Sequence, residues 1–189
     1  MLLERNVDQE TSEKAMADIQ VVEVLTSEEL IEVLKAFEQQ MTDGVQAALK
    51  TKVVVVDSLA ACFVDHRGME MRRTRDSLLT EVACRVRKLA ARGVAFVIGN
   101  ISFSQDSDNC DNDGLKDGNS ESTRQPNKPM LGSYWSSVCT LRLSLELPES
   151  TNCGDSCEDD GLRMVNVMTN TYGPAGKNCL LQITDAGLV

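Results

Sequence analysis

The sequence predicts an α/β fold in which a parallel sheet is followed by antiparallel strands. Three observations predict it. The run KVVVVDSLAA (Lys52–Ala61) has the unbroken hydrophobicity of a parallel strand covered by helices on both faces. A second such run, VAFVIGN (Val94–Asn100), follows a stretch of helical periodicity, which is the strand–helix–strand order of a parallel sheet. Beyond Val138 the strand-like segments succeed one another without helices between them, as antiparallel strands do.

Taken in order, residues 1–18 carry little pattern, and MLLERNVDQET lacks the apolar stretch of a signal peptide. IQVVEV (Ile19–Val24) is rich in β-branched residues and is predicted as a strand. TSEE supplies a capping box, with Thr26 at the cap and Glu29 three residues on. The helix it opens places Leu30, Val33, Leu34, Phe37 and Met41 on one face and is expected to continue through Thr42–Thr51. A second helix, Met71–Ala91, buries Leu78, Leu79, Val82, Val86 and Leu89 and stops at Gly93. Residues 102–128 and 148–161 read as flexible acidic loops. Val138–Leu147, Leu162–Thr171 and Asn178–Thr184 complete the strands, and the whole of 1–189 is expected to form one domain.

With 42% hydrophobic and 25% charged residues, the composition is that of a globular protein, expected to be intracellular. No apolar run of about 18 residues occurs, so no membrane is predicted as a partner. The net charge of −10 excludes a chain that coats nucleic acid indiscriminately. It hides a basic region, however, because Arg67–Arg92 holds eight basic residues against three acids. Seven cysteines, three of them (Cys62, Cys84, Cys139) in apolar runs, read as buried free thiols. Cys153 and Cys157 are too few, and His66 too remote, for a zinc site.

Asp57 ends its strand where ligands collect in parallel sheets. It either caps the next turn or orders water on a nucleotide-bound Mg2+. A phosphoacceptor role is excluded, since no acid pair ends Ile19–Val24 and VAFVIGN has no lysine. No G-x-x-x-x-G-K-[ST] loop occurs in the sequence, and GPAGKN (Gly173–Asn178) reads as a hairpin turn instead. Asn109–Ser120 imitates a calcium loop but has Ser120 where a bidentate Glu belongs, so it reads as a solvated loop. Arg85, Arg87, Lys88 and Arg92 are either the wet face of a helix or part of a phosphate-binding surface. Arg67, Arg72, Arg73 and Arg75 lie before that helix, in a predicted loop suited to polynucleotide phosphates. Tyr134 and Trp135 are core anchors or the rim of a site.

In sequence order, IQVVEVLTSEELIEVLKAF, KVVVVDSLAA, RKLAARGVAFVIGN, KPMLGSYWSSVCTLRL and RMVNVMTNTYGPAGKNCLLQITDAGLV resemble the eukaryotic paralogues of the RecA-family recombinases. The resemblance is closest to the D paralogue and covers Ile19–Val189. It implies a partial RecA-like P-loop ATPase core, mostly parallel with antiparallel C-terminal strands. Asp57 then matches the Walker B acid, a catalytic residue and Mg2+ ligand, with Ser58 beside it at the nucleotide. Asn100 matches the catalytic polar residue on the sensor strand.

By the same resemblance, the first DNA-binding loop brings Arg67, Arg72, Arg73 and Arg75, and the second contains Lys128. That second loop holds six acids and three basic residues, a balance that repels phosphate. The family is a DNA-dependent ATPase using ATP and Mg2+. The N-terminal domain and Walker A half find no counterpart here, so ATP binding is expected to be weak or lost and hydrolysis impaired. The expected partners are other RecA-family recombinase paralogues in a heteromeric complex and single-stranded or branched DNA. The expected location is the nucleus and the expected role is repair by homologous recombination. The alternatives are a non-catalytic partner-binding module of such a complex and a fragment left with an exposed apolar edge.

Overall fold

The computed structural model describes residues 8–103, 128–148, 161–184 and 187–188. They belong to two compact units, one of Glu23–Val138 and one of Met1–Val22 with Cys139–Val189. The fold is α/β, with a parallel strand pair in the first unit and antiparallel strands in the second.

Helix α1 (Gln9–Ala17) begins at Asp8, whose carboxylate accepts the Thr11 backbone N–H at 2.9 Å. This bond holds the Asp8 carboxyl below its ordinary range. No residue of α1 is buried. Between α1 and the next helix, Ile19–Val24 is not a strand. Its β-branched side chains have the propensity, but no neighbouring strand pairs with it among the described residues. A lone strand satisfies none of its backbone groups and gains nothing over solvated coil.

Helix α2 (Ser27–Thr42) opens on the predicted capping box, each of Thr26 and Glu29 bonding the other's backbone N–H at 3.2 Å. It buries Leu30, Ile31 and Leu34, while Val33, Phe37 and Met41 are half-buried. The predicted continuation through Thr51 is broken. Gly44 takes φ +78°, which a helix cannot contain, and a separate turn, α3 (Gln46–Lys50), follows.

Strand β1 (Val53–Val56) pairs in parallel with β2 (Ala95–Ile98), Val53 against Ala95 through Val56 against Ile98. The 20-residue helix α4 (Arg72–Ala91) makes the crossover and ends where Gly93 adopts φ +88°. A 3-10 turn, Ala61–His66, lies between β1 and α4. The core of this unit gathers Leu34 of α2, Leu59 and Phe63 of the turn region, and Leu79, Val82 and Leu89 of α4. Cys62 is buried and its thiol is pushed up by that burial, whereas Cys84 faces solvent despite its apolar surroundings in sequence.

The valine run is not covered on both faces. Val54, Val56, Phe96 and Ile98 are half-buried, but Val53, Val55 and Val97 are 56%, 65% and 58% exposed. Among the described residues of this unit, α2 and α4 lie together and α4 touches β2.

Beyond β2, two short strands, β3 (Ser102–Phe103) and β4 (Lys128–Pro129), pair antiparallel and clasp the ends of residues 104–127. Most of the predicted acidic loops 102–128 and 148–161, the calcium-like stretch and Cys153 and Cys157 lie outside the described residues. Helix α5 (Gly132–Ser136) follows β4 and buries Leu131 and Trp135, leaving Tyr134 exposed. Trp135 is therefore the core anchor, and Tyr134 is not.

In the second unit, β5 (Leu141–Glu146), β6 (Leu162–Asn170), β7 (Asn178–Thr184) and β8 (Gly187–Leu188) form a sheet of their own in the order β5-β6-β7-β8. GPAGKN connects β6 to β7 as a hairpin, with Gly176 at φ +77°. No helix among the described residues is long and apolar enough to cross a membrane.

Candidate functional site

Parallel pairing in this register brings Asp57, Ser58, Gly99 and Asn100 to one end of the sheet. Leu59 N–H donates to Gly99 O at 3.0 Å and Gly99 N–H to Val56 O at 2.9 Å, which ties the two strand tips together. The Asp57–Ser58 peptide is cis. Space around Gly99 is tight. A Cβ added to it would lie 3.3 Å from Ser58 Cβ and 3.4 Å from Asp57 Oδ1.

Asp57 and Asn100 are exposed and Ser58 is half-buried, so the carboxylate and hydroxyl are open to a ligand. Among the described residues no cation pairs with Asp57. A hard, solvent-facing carboxylate next to a hydroxyl is a donor set that fits Mg2+ carrying most of its own water.

Both candidate loops leave from this same end. The segment after Asp57 runs through the 3-10 turn to Arg67, and the clasp β3–β4 follows β2 directly. The two meet where Arg67 Nη2 reaches Met130 Sδ at 3.7 Å, and Met130 N–H in turn donates to Ile101 O at 2.9 Å. Arg72, Arg73 and Arg75 are not in a loop. They form the first turn of α4, which has no capping side chain and no acid there. Positive side chains at that end oppose the helix dipole, a disposition that favours an anion nearby. Arg72 and Arg75 approach Asp76 only at 3.8 and 3.9 Å, and Arg75 Nε is buried with no hydrogen bond among the described residues. Lys128 sits in β4 opposite Phe103.

The other basic residues do something the sequence did not reveal. Arg85 Nη1 meets Glu38 Oε2 at 2.7 Å and its Nη2 meets Glu81 at 2.9 Å, while Arg92 bonds Glu38 O and Thr42 Oγ1 on α2. Lys88 adds a contact to Glu38 at 3.8 Å. These side chains join α4 to α2, so they are neither a free wet face nor a phosphate surface. Arg87 remains exposed. The hydrogen bond from Arg85 holds the Glu38 carboxyl below its usual range and raises the guanidinium's own affinity for its proton.

A group with a depressed folded pKa stabilises the fold above its unfolded pKa and loses that contribution as pH falls through the lowered value. Glu38→Gln is accordingly expected to melt about 2–4 °C below the wild type at neutral pH. In acid, below the ordinary glutamate range, the gap should close; a gap independent of pH would show that the pair contributes nothing.

His66, the sole histidine, is 9% exposed at the end of the 3-10 turn. Its Nε2 lies 3.6 Å from Glu28 Oε1, and its Nδ1 is without a hydrogen bond among the described residues. Ser27 donates to the other Glu28 oxygen at 2.7 Å, which keeps that carboxyl low. Glu28 also lines an open groove of about 330 Å³ between α2 and α4, with Ile31, Glu32, Lys35, Ser77, Leu78 and Glu81. Neither Asp57 nor Asn100 borders it, and Glu32 and Glu81 are already paired with Lys35 and Arg85. The groove is thus separate from the Asp57 end.

No family model matches the chain. No curated protein matches it either. Among solved structures, the chain is similar to the crystal structure of the RadB recombinase, with a TM-score of 0.46 and 17% identity. The match covers 82% of this chain and 57% of that one, so the chain spans little more than half of the matched structure.

Proposed function

We propose that this chain is a RecA-family recombinase paralogue subunit, closest to the D paralogue, acting in DNA repair by homologous recombination in the nucleus. The observation that carries the reading is the juxtaposition at the carboxyl end of the parallel pair. Val56 and Leu59, which flank Asp57–Ser58, are bonded to Gly99 there, and the segment leading to Arg67 and the β3–β4 pair both depart from that end. This matches the order of motifs in the sequence resemblance, in which Asp57 serves Mg2+ and the nucleotide and Asn100 senses it.

In this role Asp57 would hold Mg2+ through its waters and Ser58 would add a hydroxyl beside it. Bound Mg2+–ATP would supply charge neutralisation between phosphate oxygens. The 189 residues contain no glycine loop to cradle the β- and γ-phosphates, so binding by this chain alone is weak and hydrolysis is impaired. DNA contact falls to Arg67, Arg72, Arg73 and Arg75, with Lys128 at the foot of the second loop. Other paralogues in a heteromeric complex are the partners.

Titration with a fluorescent ATP analogue and Mg2+ tests the nucleotide reading. Weak, Mg2+-dependent binding is expected in the wild type, reduced about tenfold or more in Asp57→Ala, the loss of one charge-assisted contact. Equal binding by both proteins would remove Asp57 from the site. A second reading, a non-catalytic partner-binding module, is favoured by the bare face of Val53, Val55 and Val97. It predicts no nucleotide binding at all together with stable co-purification of a recombinase paralogue.

A further inference from the structure

Strand β5 is the first strand of its sheet, and no other strand covers its outer edge among the described residues. Its backbone is set to accept one. Val167 faces β7, donating its N–H to Lys177 O and accepting from Gly176 N–H, both at 2.8 Å. Leu143, the β5 residue opposite Val167, is therefore in a pair that does not exchange backbone bonds, and its N–H and C=O point to the open edge. Alternation turns Leu145 the same way.

The edge also exposes apolar surface. Leu143, Leu145 and Leu147 are 47%, 67% and 68% exposed. Natural edge strands are ordinarily blunted by charge, proline or a covering element, and the leucine side of this one is not.

The segment LRLSLEL, residues 141–147, reads with opposite charges at equal distances from Ser144. Antiparallel pairing with an identical strand, centred on Ser144, sets Arg142 against Glu146 twice and Leu143 against Leu145 twice. Leu143 and Leu145 are the outward-facing residues, so the register that matches the charges also matches the backbone groups. Among the described residues Arg142 meets no carboxylate and Glu146 no cation within ion-pair distance. Cross-strand pairs of opposite charge stabilise a sheet and like charges directly opposite destabilise it.

We propose that β5 is a homotypic docking edge, on which a second copy of this chain adds its own β5 antiparallel about a two-fold axis at Ser144. The two sheets become one of eight strands, with a continuous leucine stripe across the junction. This interaction is independent of nucleotide and of DNA, and it would stand if the recombinase reading failed.

Sedimentation equilibrium of the full chain without nucleic acid tests it. The wild type is expected to dimerise reversibly with concentration. Arg142→Glu and Glu146→Arg each put two like-charged pairs in the junction and should weaken self-association about tenfold or more. An equimolar mixture of the two single variants restores both opposite pairs and should dimerise as the wild type does. The double variant with both changes should also dimerise. Because the singly charged variants recover on mixing, loss of association cannot be laid to misfolding. A wild type that stays monomeric, as it would if the edge served a strand of a different protein, overturns the proposal. So does a mixture that associates no better than its components.

Discussion

Phe63→Ala is expected to destabilise the Glu23–Val138 unit by about 3–5 kcal/mol, the cost of emptying a buried aromatic site. Phe63 has no accessible surface and its ring stands 5.9 Å from that of His66, tilted at 56°. Among the described residues it is the largest fully buried side chain, and its turn contacts α2 and α4. Against a typical total stability of about 5–15 kcal/mol, the loss leaves the unit close to its unfolding threshold. In urea the midpoint should fall with little change in slope. A loss below about 1 kcal/mol would mean that the site tolerates collapse and the turn is not anchored there.

On the proposed reading that this chain binds single-stranded DNA, removing the guanidinium groups at the head of α4 has the largest expected effect on that binding. Single-strand affinity falls with salt at a slope near 0.7 per phosphate neutralised, so Arg72→Ala, Arg73→Ala and Arg75→Ala together should flatten it by about 2. The drop in affinity should be greatest at low salt and similar for unrelated sequences, since phosphate contacts carry no base information. Arg75 is only 23% exposed, so the variant lacking Arg72 and Arg73 alone separates charge from packing. Its slope should fall by about 1.4 with the melting temperature unchanged. An unaltered slope in both variants would assign these arginines to the fold.

The features legible in the sequence are those decided by neighbours along the chain. The Thr26–Glu29 capping box, the stop at Gly93 and the GPAGKN hairpin all depend on residues within a few positions of one another. The placing of Asp57 and Asn100 at one end of the sheet follows from two strand-end residues and a helical crossover, which leaves parallel pairing as the simple arrangement. What escaped depends on distant partners. Ile19–Val24 has strand propensity but finds no strand beside it. Glu38 and Arg85 are 47 residues apart, and nothing local distinguishes a paired arginine from a solvated one. Arg72, Arg73 and Arg75 carry no local signal that separates a loop from the first turn of a helix, and α4 starts at Arg72. An apolar run reports what can be buried and says nothing about whether a cover is present.

The half-covered strand pair has a consequence for the life of the molecule. Newly synthesised copies with Val53, Val55 and Val97 in water carry the kind of surface that chaperones retain and quality-control proteases sample. A partner that covers that face is expected to lengthen the life of the chain. Pulse-chase decay should slow when a covering partner is co-expressed, and Val55→Lys, which makes the bare face polar, should slow it without any partner.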